Sequence, residues 1–170
     1  MIISILNCDK HFGIGKKNGL LFSLPKDMEF FRKTTLNHIV CMGENTLLSF
    51  PNSKPLPNRT NVVLSSDPTH NYEGVINVHS FDEFLLFIKE KSQKEDVYII
   101  GGASIYNQTL DYVDKVLLTK VDADGQAEVF FNNLDENKNF SLVEESASIT
   151  DGNFKIKFLT YINLSKKEIK

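Results

Sequence analysis

Uncharged apolar runs alternate with segments of helical period along this chain. Ile2 to Cys8 carries no charge, as a strand buried on both faces requires. Ile39 to Met42, Thr60 to Leu64, Val75 to Val78, Val97 to Ile100 and Val113 to Lys120 predict further strands. Pro25 suits the first turn of a helix that runs to about Thr35. Gly43 closes the second strand, and Glu44 to Phe50 predicts a short helix. Ser80-Phe81-Asp82-Glu83 fits a capping box, and Phe81, Phe84, Leu85 and Ile88 then follow the i, i+3, i+4, i+7 rule. Gly101-Gly102 leads from a strand into a helix predicted from Ala103 to about Leu110. Asp9 to Ser23, with Gly13, Gly15 and Gly19, predicts a long loop, and proline-rich Pro51 to Asn58 another. After an acidic loop, Phe140 to Ile149 and Phe154 to Leu164 predict a hairpin across Asp151-Gly152. Strands alternating with helices predict an α/β fold. We expect one domain over residues 1–170, a mainly parallel twisted sheet with flanking helices and a C-terminal antiparallel hairpin.

Composition narrows the function classes. A chain of 170 residues, 41% hydrophobic and 24% charged, is long enough for a full core of ordinary soluble type. A net charge of -3 gives no support to a nucleic-acid surface. An anionic ligand therefore needs local cations or backbone N–H donors. Cys8 and Cys41 lie in apolar runs and read as buried free thiols. His11, His38, His70 and His79 show no metal-ligand spacing, so no metal is expected. The first residues lack a basic signal-peptide region, and no run reaches the ~20 apolar residues of a membrane span. The cytoplasm is the expected compartment.

Asp27 is the first chemical candidate. It follows Pro25 at the start of a helix whose neighbours Met28 and Phe31 are apolar. A buried carboxylate is costly unless paired, and a flat heterocycle with a hydrogen-bonding edge would pair it. The bland reading is a favourable first-turn acid. Two strand-Gly-helix junctions, at Met42-Gly43-Glu44-Asn45-Thr46 and Ile100-Gly101-Gly102-Ala103, are either tight turns or a cradle for a phosphate-bearing cofactor bound across both. Leu64-Ser65-Ser66 ends a strand with hydroxyls that either bind phosphate or start a turn. Arg59, after Pro55-Leu56-Pro57-Asn58, either grips a carboxylate or sits on the surface. Met28, Phe31, Phe50 and Leu56 read by default as core.

Taken together, the motifs resemble the dihydrofolate reductase family. They are I-G-x-x-N from Ile14, L-P-x-D from Leu24 to Asp27, F-F-R-K-x-T from Phe30 to Thr35, M-G-x-x-T from Met42 to Thr46, P-L-P-x-R from Pro55 to Arg59, the Leu64-Ser65-Ser66 strand end, I-G-G-A-x-x-Y from Ile100 to Tyr106, and L-L-T-x-V-D-A from Leu117 to Ala123. Family order and spacing hold over nearly the whole chain. The resemblance implies hydride transfer from a reduced nicotinamide to C6 of 7,8-dihydrofolate, with a proton delivered to N5. It implies catalytic roles for Asp27, Leu20, Phe22 and Tyr106. Asp27 would hold the pterin edge with Thr119 hydrogen-bonded behind it. Ile5, Met28, Phe31, Phe50, Leu56 and Ile100 would wrap the substrate, and Arg59 would pair with its glutamate carboxylate. Gly101-Gly102 would carry a cis peptide. Ile14, Gly43, Glu44, Asn45, Thr46, Ser65, Ser66, Gly101, Gly102, Ala103, Ser104 and Ile105 would hold the cofactor.

Departures from the family pattern bear on the chemistry. Leu21-Phe22 replaces the family's usual Pro-Trp, and Asn7 stands where a small apolar residue is usual beside the pterin. Glu44 and Ser104 stand where basic residues often meet the cofactor's 2′-phosphate. NADPH is the expected cofactor, with NADH admitted by those two positions. Dihydrofolate and the nicotinamide are the expected partners of a monomer, without nucleic acid or membrane. The rivals are a pyrimidine reductase of riboflavin synthesis on a related fold, and a binding module that keeps the fold without turnover.

Overall fold

The structure is a computed structural model that describes residues 1–16 and 21–170. In chain order its elements are β1 (Ile2–Cys8), β2 (Gly13–Gly15), α1 (Pro25–Thr35), β3 (Ile39–Gly43), α2 (Glu44–Ser49), β4 (Thr60–Leu64), β5 (Ile76–Val78), α3 (Phe81–Ser92), β6 (Val97–Gly101), α4 (Ala103–Thr109), β7 (Lys115–Val121), β8 (Val129–Phe130), β9 (Phe140–Glu145), β10 (Ile149–Asp151) and β11 (Phe154–Asn163). The main sheet runs β10-β11-β7-β1-β6-β3-β4-β5, with β9 also paired to β11. From β5 to β7 every pairing is parallel; β11 is antiparallel to β7, β9 and β10. The expected mainly parallel sheet with an antiparallel C-terminal addition is what the chain forms.

Three local expectations are corrected. The predicted loop from Asp9 to Ser23 contains β2, which pairs with β8 inside the predicted acidic loop. The predicted strand from Phe140 to Ile149 is two pieces on the same edge of β11. Ser146 lies between them and binds Phe158 twice, its N–H donating to Phe158 O and its Oγ accepting from Phe158 N. The hairpin turn is Gly152-Asn153 rather than Asp151-Gly152, and Gly152 supplies its positive φ of 60°.

The period of two splits β1 between the faces of the sheet. Ile2, Leu6 and Cys8 join a core with Phe84, Leu85 and Ile88 of α3 and Leu118 of β7. Ile3 and Ile5 face the other way, toward Phe30 and Phe31 of α1. Both cysteines are buried and free, and burial pushes the Cys8 thiol up to about 12. Ser80 caps α3 by accepting from Glu83 N at 3.1 Å.

Helix α1 has a more distant cap. Leu24, its N-cap residue, offers no side-chain hydrogen bond. Asp151 of β10 instead accepts from Lys26 N and Asp27 N, each at 3.0 Å, and is 1% exposed. The carboxylate faces the positive end of the helix dipole. Asp151→Ala is expected to destabilise the fold by about 2 kcal/mol, because a buried and a part-buried N–H group lose a charged acceptor. Urea unfolding measures this; a loss below about 0.5 kcal/mol, as at an ordinary surface position, would show the cap to be dispensable.

Candidate active site

The centre of the site is a fork of two donors around one carboxylate. Strands β1 and β7 are parallel and in register, so Asn7 lies beside Thr119. Asp27, in the first turn of α1, sits over that pair. Thr119 Oγ1 donates to Asp27 Oδ1 at 2.6 Å, and Asn7 Nδ2 donates to Asp27 Oδ2 at 3.1 Å. Asp27 is only 8% exposed. Burial raises its pKa above the ordinary carboxylic value, the Thr119 and Asn7 hydrogen bonds oppose that rise, and the Asp151 charge adds to it; the net direction is up. The apolar helix face expected around Asp27 is not what buries it. Met28 is 66% exposed and Phe31 only half-buried, so the strands beneath do the burying. Met28 is accordingly not a core residue.

Beside the carboxylate, Ile5 and Ile100 are buried, and Phe31, Phe50 and Leu56 pack half-buried on their side of the sheet. Tyr106 is buried on α4 and its hydroxyl donates to Ile5 O at 2.8 Å. Burial, then the Asp27 charge, keeps that phenol protonated far above its ordinary range. Arg59 is half-buried and held by protein acceptors. Its Nε donates to Thr35 Oγ1 at 2.9 Å, Nη1 to Pro57 O at 3.0 Å and Nη2 to Arg32 O at 3.4 Å. Burial and the neighbouring Arg32 charge both lower its pKa. Two cations this close favour an anion between or beside them.

The two glycine junctions lie side by side, because β3 and β6 pair with Met42 opposite Gly101. The Gly101-Gly102 peptide is cis and Gly101 has φ 128°. A side chain at Gly101 would place Cβ 3.3 Å from Thr46 Oγ1, and one at Gly43 would meet Ile105 at 3.2 Å. Neither glycine leaves room for a side chain: the Thr46 hydroxyl and the Tyr106 ring close on Gly101, and Ile105 closes on Gly43. Ala103 and Glu44 begin the two short helices, with Asn45 second in α2, and their first N–H groups have no intrahelical partner. Ile14 lies half-buried on β2. Ser104 is exposed and accepts from Gln108 Nε2.

Glu44 neither stands free nor points away. Its Oε2 accepts from Ser65 Oγ at 3.0 Å and from the Tyr72 hydroxyl, and lies 2.7 Å from His70 Nδ1. Hydrogen bonding, led by Tyr72, lowers its pKa. Ser65 is buried through this contact, while Ser66 is exposed. His70 also reaches Asp67 at 3.3 Å. Among the described residues no His, Cys, Asp and Glu cluster could hold a metal.

Leu20 falls outside the described residues. Phe22 lies half-buried with its ring edge-on to Phe154 at 4.8 Å. Sequence reasoning gave no role to Asn7, Asp151, His70 or Tyr72. Asn7 carried a signal, a polar residue in an apolar run; Asp151, His70 and Tyr72 carried none, since their partners lie 26 to 125 residues away.

Comparison with known proteins gives a consistent result. The family model for dihydrofolate reductase matches residues 1–164. Dihydrofolate reductase of Bacillus subtilis (strain 168) is 34% identical over 151 residues, which are 89% of this chain and 86% of that protein. Dihydrofolate reductase type 9 of Escherichia coli is 32% identical over 168 residues, 96% and 92% of the two. A solved structure of dihydrofolate reductase from Enterococcus faecalis, complexed with NADP(H) and RAB-propyl, superposes with a TM-score of 0.84 at 27% identity and covers 96% of each chain. Among the described residues no helix is long and apolar enough to cross a membrane.

Proposed function

The chain belongs to the dihydrofolate reductase family, and we propose that Asp27 is the group with which it holds the pterin and manages the proton of that reaction. The enzyme reduces 7,8-dihydrofolate to tetrahydrofolate, with NADPH supplying the hydride when bound. The pyrimidine reductase alternative is not favoured by these relatives. We read the whole chain as one domain working in the cytoplasm.

One observation carries the role of Asp27: a buried carboxylate on a helix, donated to from both sides, whose charge reaches the Tyr106 phenol on the helix that follows Gly101-Gly102. A carboxylate has about four lone-pair sites. Thr119 and Asn7 each use one, which leaves acceptors for the two parallel N–H groups of a 2-amino-pterin edge. Burial favours a proton on the carboxyl, and those N–H donors favour the anion, so ring and carboxyl share one proton balance. Ile5, Ile100, Phe31, Phe50 and Leu56 exclude water around that edge, and the Tyr106 hydroxyl, spent on Ile5 O, fixes the strand rather than donating a proton. Phe22, packed on Phe154, is read as part of the cleft wall rather than as a catalytic group.

The two junctions, side by side and free of Cβ atoms at Gly43, Gly101 and Gly102, suit a flat ring and a pyrophosphate that need close backbone approach, with Thr46, Gly101, Gly102 and Ala103 as their holders. Steady-state kinetics with dihydrofolate and each nicotinamide cofactor test the reading. Absence of turnover with both cofactors would refute it.

Glu44 sets a second expectation. A carboxylate beside a 2′-phosphate repels it, whereas it accepts from a ribose 2′-hydroxyl. Its charge here is shared with Ser65, Tyr72 and His70, which weakens the repulsion without reversing it. NADPH preference should therefore be weaker than is usual for the family. Glu44→Arg is expected to tighten NADPH roughly fivefold, a gain that fades with salt, and to leave NADH nearly unchanged. Fluorescence titration of both cofactors checks this, and an unaltered NADPH affinity would place Glu44 away from the phosphate.

A further inference from the structure

We infer that Asn7 is a positioning residue for the reaction proposed above, on which this inference rests: its amide fixes the rotation of the Asp27 carboxylate and so presents the remaining lone pairs to the ring in one orientation. An ionised carboxylate only accepts, so the amide must turn its NH2 toward Oδ2, and its direction is set by its partner. The strand register places Asn7 level with Thr119 on the same face, so the two donors approach opposite oxygens of one group. With a single donor the carboxylate rotates about its Cβ–Cγ bond; with two on different strands it is clamped. A small apolar residue at position 7 would leave the clamp half open.

The same contact bears on protonation. The Asn7 hydrogen bond opposes the upward pull of burial on Asp27, as does that of Thr119. Among the described residues the titratable groups facing Asp27 are the Asp151 carboxylate from β10 and the Tyr106 phenol from α4. Lys26, beside it on α1, sends its ammonium to Thr150 O instead. Substitution at position 7 alters none of these, so a change in Asp27 titration reports the lost amide.

The test is Asn7→Leu, alike in branching and without a donor, with Asn7→Ala read in its place if the first fails to fold. Carboxyl NMR of the free protein should show Asp27 titrating at higher pH than in wild type. The limb of the kcat/KM profile that depends on Asp27 should move the same way, giving a severalfold change at a fixed pH on that limb. A purely structural role would lower the melting temperature and leave both titrations in place, and that result would overturn the inference. Free-protein NMR needs no turnover. A chain inactive on dihydrofolate would thus refute the proposed reaction, while the Asn7–Asp27 coupling would still be decided separately.

Discussion

Asp27→Asn is expected to lower hydride transfer to dihydrofolate about 100-fold or more near pH 7, the scale of a lost general acid–base group. The amide is nearly isosteric and keeps an acceptor for Thr119, so the cleft survives while the titrating group does not. Activity should recover in part at acidic pH, where substrate is protonated before it binds. The pH profile decides: wild-type activity at pH 7 to 8 in the variant would show that Asp27 does not handle the proton.

The same substitution should alter stability in the opposite sense. The folded pKa of Asp27 lies above its ordinary value of 3.8. Its contribution to stability is therefore fully present below that value and is lost as pH rises through the folded pKa. Above the folded pKa the wild type holds a buried anion that the variant lacks. Asp27→Asn should be more stable than wild type at pH 8, with the gap closing toward pH 4. Urea midpoints at the two pH values measure the gap; a variant less stable at both would mean that the donors around Asp27 favour the anion more than burial opposes it. A carboxylate that burdens the empty fold and serves the occupied one is the usual bargain of an active site.

The fold was legible where a run, a start signal or a period marked an element. The uncharged run from Ile2 to Cys8 is β1, Pro25 opens a helix that ends at Thr35 where it was expected to end, and the period of Phe81, Phe84, Leu85 and Ile88 lies on α3. Strand β8, two exposed residues long, has no period to count, and so neither it nor its pairing with β2 could be read. The break between β9 and β10 comes from Ser146 bonding to Phe158 across the ladder, a contact that alternation cannot encode. Asp27 was legible as a carboxylate in need of a partner, but for a reason that proves incomplete. Its burial comes from β1 and β7, whereas its helix neighbour Met28 is mostly in solvent. Glu44 was read only as a helix start and as a charge near the cofactor's 2′-phosphate. Its three partners arrive from the β4–β5 connection, and only folding brings them together.

Arg59→Ala should raise KM for dihydrofolate tenfold or more, since a charge-assisted bond is worth roughly 1.5–3 kcal/mol. Arginine has five N–H donors. Among the described residues Thr35, Pro57 and Arg32 take one each, from Nε, Nη1 and Nη2, which leaves one N–H on each terminal nitrogen. A guanidinium plane held by three contacts with a donor left on both terminal nitrogens suits a carboxylate. The anchor is firm because Thr35 is fully buried and its hydroxyl also donates to Phe31 O at 2.8 Å. Arg32 adds repulsion that an incoming anion relieves. Lysine would supply the charge without the fork, so Arg59→Lys should recover only part of the loss. A pterin lacking the glutamate tail should be almost indifferent to either substitution. Equal losses for the tailed and tailless substrates would show that Arg59 braces the cleft through Thr35 and Pro57 and does not bind the carboxylate.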